Sequence, residues 1–114
     1  MINSKRKGNH FEAEMAFRLR EIFPDARTSR FMGRLWDDRC GVDIVGTPGW
    51  HFQCKAVERL APGYHEILSA MPKNGNVNAI LHKRNNRGIV VVLDFNEFLK
   101  LLKQWSNYRK RRNN

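Results

Sequence analysis

The sequence predicts a single mixed α/β domain with a central sheet flanked by helices. Three observations carry that expectation. An amphipathic stretch near the start has apolar residues at helical spacing. The middle holds short β-rich runs separated by Gly and Pro turns, and a second amphipathic stretch closes the chain. The length of 114 residues allows one domain with one modest core. A composition of 41% hydrophobic and 28% charged residues is ordinary for a globular chain and argues against wholesale disorder.

The elements follow in order. A helix is expected over residues 9–23, ended by Pro24-Asp25, with Phe11, Met15, Ala16, Leu19, Ile22 and Phe23 on its apolar side. Residues 26–41 read as irregular, with a short strand around Arg30-Phe31-Met32. A hairpin comes next: Gly41 to Val45 and Trp50 to Ala56 are the strands, and Thr47-Pro48-Gly49 supplies the turn. A short helix is expected over 64–71. Two strands, 77–81 and 89–93, flank a basic turn at 82–88. A closing helix is expected over 94–105, its Phe95, Phe98 and Trp105 assigned to the core together with Phe52. The domain is thus residues 1–105, followed by a basic tail at 106–114.

Charge narrows the function. Lys and Arg number 21 against 11 Asp and Glu, a net charge of +10. Such a field favours polyanions, with nucleic acid the commonest partner. Five of those charges, Lys103, Arg109, Lys110, Arg111 and Arg112, lie in the last fourteen residues with no acid among them. They form either a phosphate-binding arm or a solvated end. No apolar run reaches the ~20 residues that a membrane span needs. The basic N-terminus has no apolar stretch behind it, so no signal peptide is expected. Two cysteines, Cys40 and Cys54, make no disulfide framework and lack zinc-ligand spacing. A reducing, cytoplasmic setting is the simpler expectation.

Chemistry concentrates in the hairpin. Strand residues alternate faces, so His51, Gln53 and Lys55 share one side and Phe52, Cys54 and Ala56 the other. A turn centred on Pro48 sets Asp43 opposite Gln53. Asp43, Gln53 and Lys55 would then cluster, which suits a divalent cation and a water. On the first helix, Glu12 falls at about 100° from Phe11, inside the apolar arc, whereas Glu14 falls on the polar side as an i,i+4 partner of Arg18. A carboxylate facing the body needs a positive partner. A metal site shared with Asp43 would supply one; so would a buried ion pair, for example with Lys55.

The pattern Gly8-x3-Glu12, Gly41-Val42-Asp43 and Gln53-Cys54-Lys55 resembles the PD-(D/E)xK nuclease superfamily. Its closest shape there is the archaeal-type Holliday junction resolvases, and the Gln-x-Lys variant is similar to Mrr-type endonucleases. The resemblance covers residues 5 to about 57 and continues only as element order. It implies a restriction-endonuclease-like domain with an α-β-β-β-α-β core. It implies Mg²⁺ or Mn²⁺ held by Glu12, Asp43, Gln53 and the Cys54 carbonyl, with Lys55 positioning the attacking water. It also implies a homodimer that cuts opposed strands of a four-way junction. Gln53 stands where the family has Glu, which removes one charge from the site and admits a DNA-binding but inactive member. A nicking or restriction-like endonuclease is the other alternative. The short chain, with little room for a sequence-reading domain, favours structure selectivity, and the compact size suits a phage-encoded protein.

Candidate DNA contacts are Lys5, Arg6, Lys7, Arg30, Arg34, Lys83, Arg84, Arg87, Arg109, Lys110, Arg111 and Arg112. Arg27, Phe31 and Trp36 add to the basic and aromatic mixture before the hairpin. Asp37 and Asp38 would contribute a further ligand or be solvated. His10, His51, His65 and His82 are scattered, and only His51 shares a face with Gln53.

Overall fold

A computed structural model describes residues 4–32 and 41–113. The chain folds as one compact α/β domain. Its elements are α1 (Ser4–Leu19), β1 (Arg27–Thr28), one 3-10 turn (Ser29–Met32), β2 (Ile44–Val45), β3 (Trp50–Lys55), α2 (Tyr64–Ala70), β4 (Val77–Lys83), β5 (Ile89–Val92) and α3 (Phe95–Arg112). The five strands form one sheet in sequence order. β1, β2 and β3 are antiparallel neighbours, β3 and β4 are parallel, and β5 returns antiparallel to β4. A parallel pair requires a crossover, and α2 supplies it.

The core lies between α1 and one face of the sheet. Phe11, Met15 and Ala16 of α1 meet Ile44, Phe52, Ala79 and Leu81, with Cys54 and Ala56 packed against them. The opposite face buries Ile80 and His82 of β4, with Ile67 of α2 and Met71 just beyond it also buried. Alternation along β3 and β4 therefore sends Phe52 and Cys54 toward α1, and Gln53 and Lys55 toward the α2 side. Phe52 is gripped further by Trp50, stacked at a ring separation of 5.5 Å, and by Phe23, edge-on at 6.3 Å.

Three expectations about the elements need correction. α1 begins at Ser4 and stops at Leu19, so Ile22 is exposed and only Phe23 returns to the core. The segment around Arg30 is a 3-10 turn, and the short strand lies just before it at Arg27–Thr28. The closing helix runs through Arg112, well past Trp105. Nothing in residues 106–112 breaks a helix, and cations in the last turn suit the negative end of the helix dipole. Arg109 and Arg112 also lie over the rings of Trp105 and Tyr108, one turn earlier, at 5.2 and 5.9 Å.

α3 differs from the expectation in a second way. It buries none of its residues: Phe95 is 68% exposed and Trp105 55%. Phe95, Phe98 and Trp105 are therefore surface residues, and only Phe52 of the four aromatics assigned to the core lies there. The Asp94 side chain caps the helix by accepting from the Asn96 amide at 3.0 Å. Among the described residues no helix is long and apolar enough to cross a membrane.

The junction between α1 and the sheet depends on Gly46. Its φ is +80°, and a Cβ there would stand 2.1 Å from the Asp25 carbonyl oxygen. Gly46→Ala should cost more than about 2 kcal/mol, measured as a lowered urea midpoint with an unchanged slope.

Candidate functional site

The site begins where the β2–β3 ladder ends. Ile44 pairs with Phe52, which sets residue 43 opposite residue 53, the register expected from a turn at Pro48. The Asp43 amide donates to the Phe52 carbonyl (2.8 Å), and the Ser29 amide donates to the Asp43 carbonyl (2.8 Å). Beyond Ile44 the strand offers Cys54 no paired backbone acceptor. The Asp43 carboxylate fills that role: the Cys54 amide donates to its Oδ2 at 2.7 Å. Asp43 thus spends one carboxylate oxygen on the β3 backbone at the end of the β2–β3 ladder.

Gln53 packs against Gly41. A Cβ on Gly41 would meet Gln53 Oε1 at 2.8 Å and Met71 Cγ at 3.5 Å, and Gly41 itself has a φ of +69°. The Gly that precedes Val42-Asp43 thus serves both backbone conformation and the space that the amide occupies. Lys55, half-buried at the end of β3, pairs with His82 through the ladder, and its side chain makes no hydrogen bond or ion pair among the described residues.

Glu12 approaches from α1, on the other side of the sheet. Its side chain is 15% exposed, as expected for a carboxylate inside the apolar arc. Its partner is Arg30: Nε donates to Glu12 Oε2 at 2.8 Å, and Nη2 donates to the Asn9 carbonyl at 3.2 Å. The 3-10 turn carries Arg30 over α1, a placement the periodicity of the segment did not signal. The ion pair offered as one option for Glu12 exists, with Arg30 in the place suggested for Lys55. Arg30 is thereby committed to the protein. Glu14 pairs with Arg18 at 3.8 Å, as its position on the polar side predicts.

Both carboxylates bear on Cys54. Burial, then the charge of Asp43, then that of Glu12 push its thiol well above the usual range. The thiol is thus a packed, protonated group. Among the described residues, no three His, Cys, Asp or Glu side chains converge closely enough to hold a metal ion. Asp37, Asp38, Cys40, Arg34 and Trp36 lie outside the described residues.

The cations gather on both flanks of α1, in the β4–β5 turn and at the end of α3. Arg6, Lys7 and His10 of α1 face Lys83, Arg84, Asn85 and Asn86 across a cleft floored by Phe11 and Ala56. Lys7 Nζ donates to Asn85 Oδ1, and Glu58 holds the turn by accepting from the Asn85 amide at 2.8 Å. A second groove, lined by Lys5, Arg6, Asn9, His10 and Arg30, runs along the other flank of α1. The first turn of α1 contains no acid, although the helix dipole favours one there. Arg87 is exposed in the β4–β5 turn. Arg109, Lys110, Arg111 and Arg112 form the last turn of α3.

The cleft residues His10, Asn85 and Asn86 carry no motif and were not singled out by sequence. Two histidines are structural. His51 is buried, its Nε2 3.0 Å from Asn74 Oδ1 and 3.3 Å from Asn76 Nδ2. His82 Nε2 lies 2.7 Å from the Val57 carbonyl, which only accepts, so that nitrogen carries the proton. The neutral ring's Nδ1 then accepts from the Tyr64 hydroxyl at 3.2 Å. His65 is exposed and lines a groove beside α2.

Comparison with protein-family models, curated proteins and solved structures finds no match to this chain.

A protonated, packed thiol should be inert. Cys54 is expected to remain unlabelled by iodoacetamide near pH 8 in the folded protein and to label fully in urea, read by peptide mass.

Proposed function

We propose that the chain is a metal-dependent endonuclease of the restriction-endonuclease-like class, acting on branched DNA such as a four-way junction. The observation that carries the reading is the register at the end of β2. It brings Asp43 to Cys54 and sets residue 43 opposite Gln53 on a strand that ends in Lys55, whose ammonium has no ion-pair partner among the described residues. The order α1-β1-β2-β3-α2-β4 is the expected α-β-β-β-α-β core.

The donor set is made of hard oxygens, from Asp43, Glu12, the Gln53 amide and the Cys54 carbonyl, which suits Mg²⁺ or Mn²⁺. When bound, such a cation would lower the pKa of a water and draw charge from the scissile phosphate. The chain's own residues supply the remainder. Asp43 is oriented by the Cys54 amide. Lys55 would stabilise the negative charge that develops on the phosphorane oxygens, a role open to an ammonium with no competing carboxylate. Arg30 holds Glu12 and must yield part of that bond before Glu12 ligates a cation.

The cations of the α1 cleft support DNA as the partner. Two of them, Arg6 and Lys7, together with Lys5 of the neighbouring groove, crowd a helix end that already carries positive potential. Backbone phosphates relieve that repulsion and set the register of the duplex. A cytoplasmic setting and a second copy facing the opposed strand belong to the same reading.

One observation favours a different reading, a DNA-binding protein that does not cut. The Glu12 carboxylate is engaged by Arg30 and the third acidic ligand is replaced by Gln53.

The test is cleavage of a labelled four-way junction beside linear duplex, with Mg²⁺, Mn²⁺ or EDTA. Paired, metal-dependent nicks in opposed strands are expected. Asp43→Asn and Lys55→Ala should each reduce the rate at least ~100-fold while junction binding persists. Binding without cleavage under any metal would establish the non-catalytic reading, and equal rates on linear duplex would point to a nicking or restriction-like enzyme. Lys83→Ala and Arg84→Ala should each weaken junction binding and lower its log–log salt slope by about 1, measured by titration in increasing NaCl.

A further inference from the structure

The closing helix presents an apolar face that no part of the described chain covers. Phe95, Phe98, Leu99, Leu102, Trp105 and Tyr108 are exposed by 37% to 68%. Residues 95, 98, 102, 105 and 109 are spaced three and four apart in alternation. That is the seam of a helix that packs along another helix at a shallow angle. Eighteen residues give a helix about 27 Å long, and the molecule measures 56 Å along its longest axis against 28 and 27 Å across.

We propose that α3 is the self-association surface of this protein, pairing antiparallel with α3 of a second copy. Charge selects both the occupant and the direction. The start of the helix carries Asp94 and Glu97, and its last turn carries Arg109, Lys110, Arg111 and Arg112. A parallel pair would stack the four cations of each copy against each other. An antiparallel pair centred on Leu102 sets Phe95 level with Arg109 and Asp94 level with Lys110, twice by symmetry. Each copy thus offers the complement of its own charge gradient along one apolar seam.

The area is adequate. Half-exposed side chains of this size present roughly 100 Å² apiece, so two copies would bury about 1,200 Å² in all, at the lower bound for a stable interface. This inference rests on α3 alone and stands apart from the nuclease reading, although such a pair would provide the second copy that the reading calls for.

The experiment is sedimentation equilibrium of the full chain. The wild type is expected at twice 13.4 kDa. Leu102→Glu combined with Trp105→Glu should raise the dimer dissociation constant at least ~100-fold. Far-UV circular dichroism should be nearly unchanged, because neither residue is buried within its own chain, and only the wild type should show a thermal midpoint that rises with concentration. Direction is read by disulfide trapping in a Cys40→Ser background. A mixture of Phe95→Cys and Arg109→Cys proteins should cross-link one variant to the other. Phe95→Cys cross-linking to itself would overturn the antiparallel pair. A wild type that stays monomeric at about 100 μM, or a dimer that survives the double substitution, would overturn the surface. Monomeric protein that binds anionic vesicles would overturn it in favour of a membrane-facing helix. Cleavage is not part of this readout, so the two proposals fail separately.

Discussion

Everything in this molecule is built around a strand that is hydrogen-bonded on both sides in opposite senses. β3 runs antiparallel to β2 and parallel to β4. The antiparallel side needs only the short turn at Thr47-Pro48-Gly49. The parallel side forces a crossover, and the crossover puts α2 on the face away from α1. Phe52 and Cys54 then go to one layer and Gln53 and Lys55 to the other. The same geometry leaves the Cys54 amide without a backbone acceptor where β2 stops, and that vacancy fixes the Asp43 carboxylate. Position and chemistry share a single cause.

The candidate site straddles the sheet. Glu12 lies in the α1 layer, held by Arg30, Asp43 at the end of the β2–β3 ladder, and Lys55 on the far face of β3. Residues of opposite layers come within reach of one ligand only at the end of a sheet, where the strands run out. The short β2, two residues long, is therefore as much a part of the site as the side chains. The cations of α1 and the β4–β5 turn line a cleft that reaches Ala56, the residue after Lys55.

Much of this was legible in the sequence, and the limits have physical reasons. Alternation and a Pro-Gly turn gave the β2–β3 register, because a period of two leaves no slack once one face is apolar. The i,i+4 pair Glu14–Arg18 and the inward Glu12 followed from helical geometry alone. Arg30 as the partner of Glu12 did not, since the contact joins a non-periodic turn to a helix eighteen residues earlier. α3 departs from its expected burial for a different reason. An amphipathic pattern reports that a face will be covered and is silent on whether the cover comes from the same chain. Asn85 and Asn86 escaped notice because turn residues are read for conformation, and Asn86 indeed has a φ of 57°.

The parallel pairing of β3 with β4 also has a consequence in time. The partners are 27 residues apart, from Trp50 to Val77. A ribosome releasing this chain exposes β3, with one edge bare, before its neighbour exists. α1, β2 and β3 can collapse together by then, since Phe11, Met15, Ile44 and Phe52 are all present. Gln53 and Lys55 nevertheless have no layer beneath them until α2 and β4 emerge. The nascent protein therefore acquires α1, with its acid-free first turn, before the layer beneath Gln53 and Lys55.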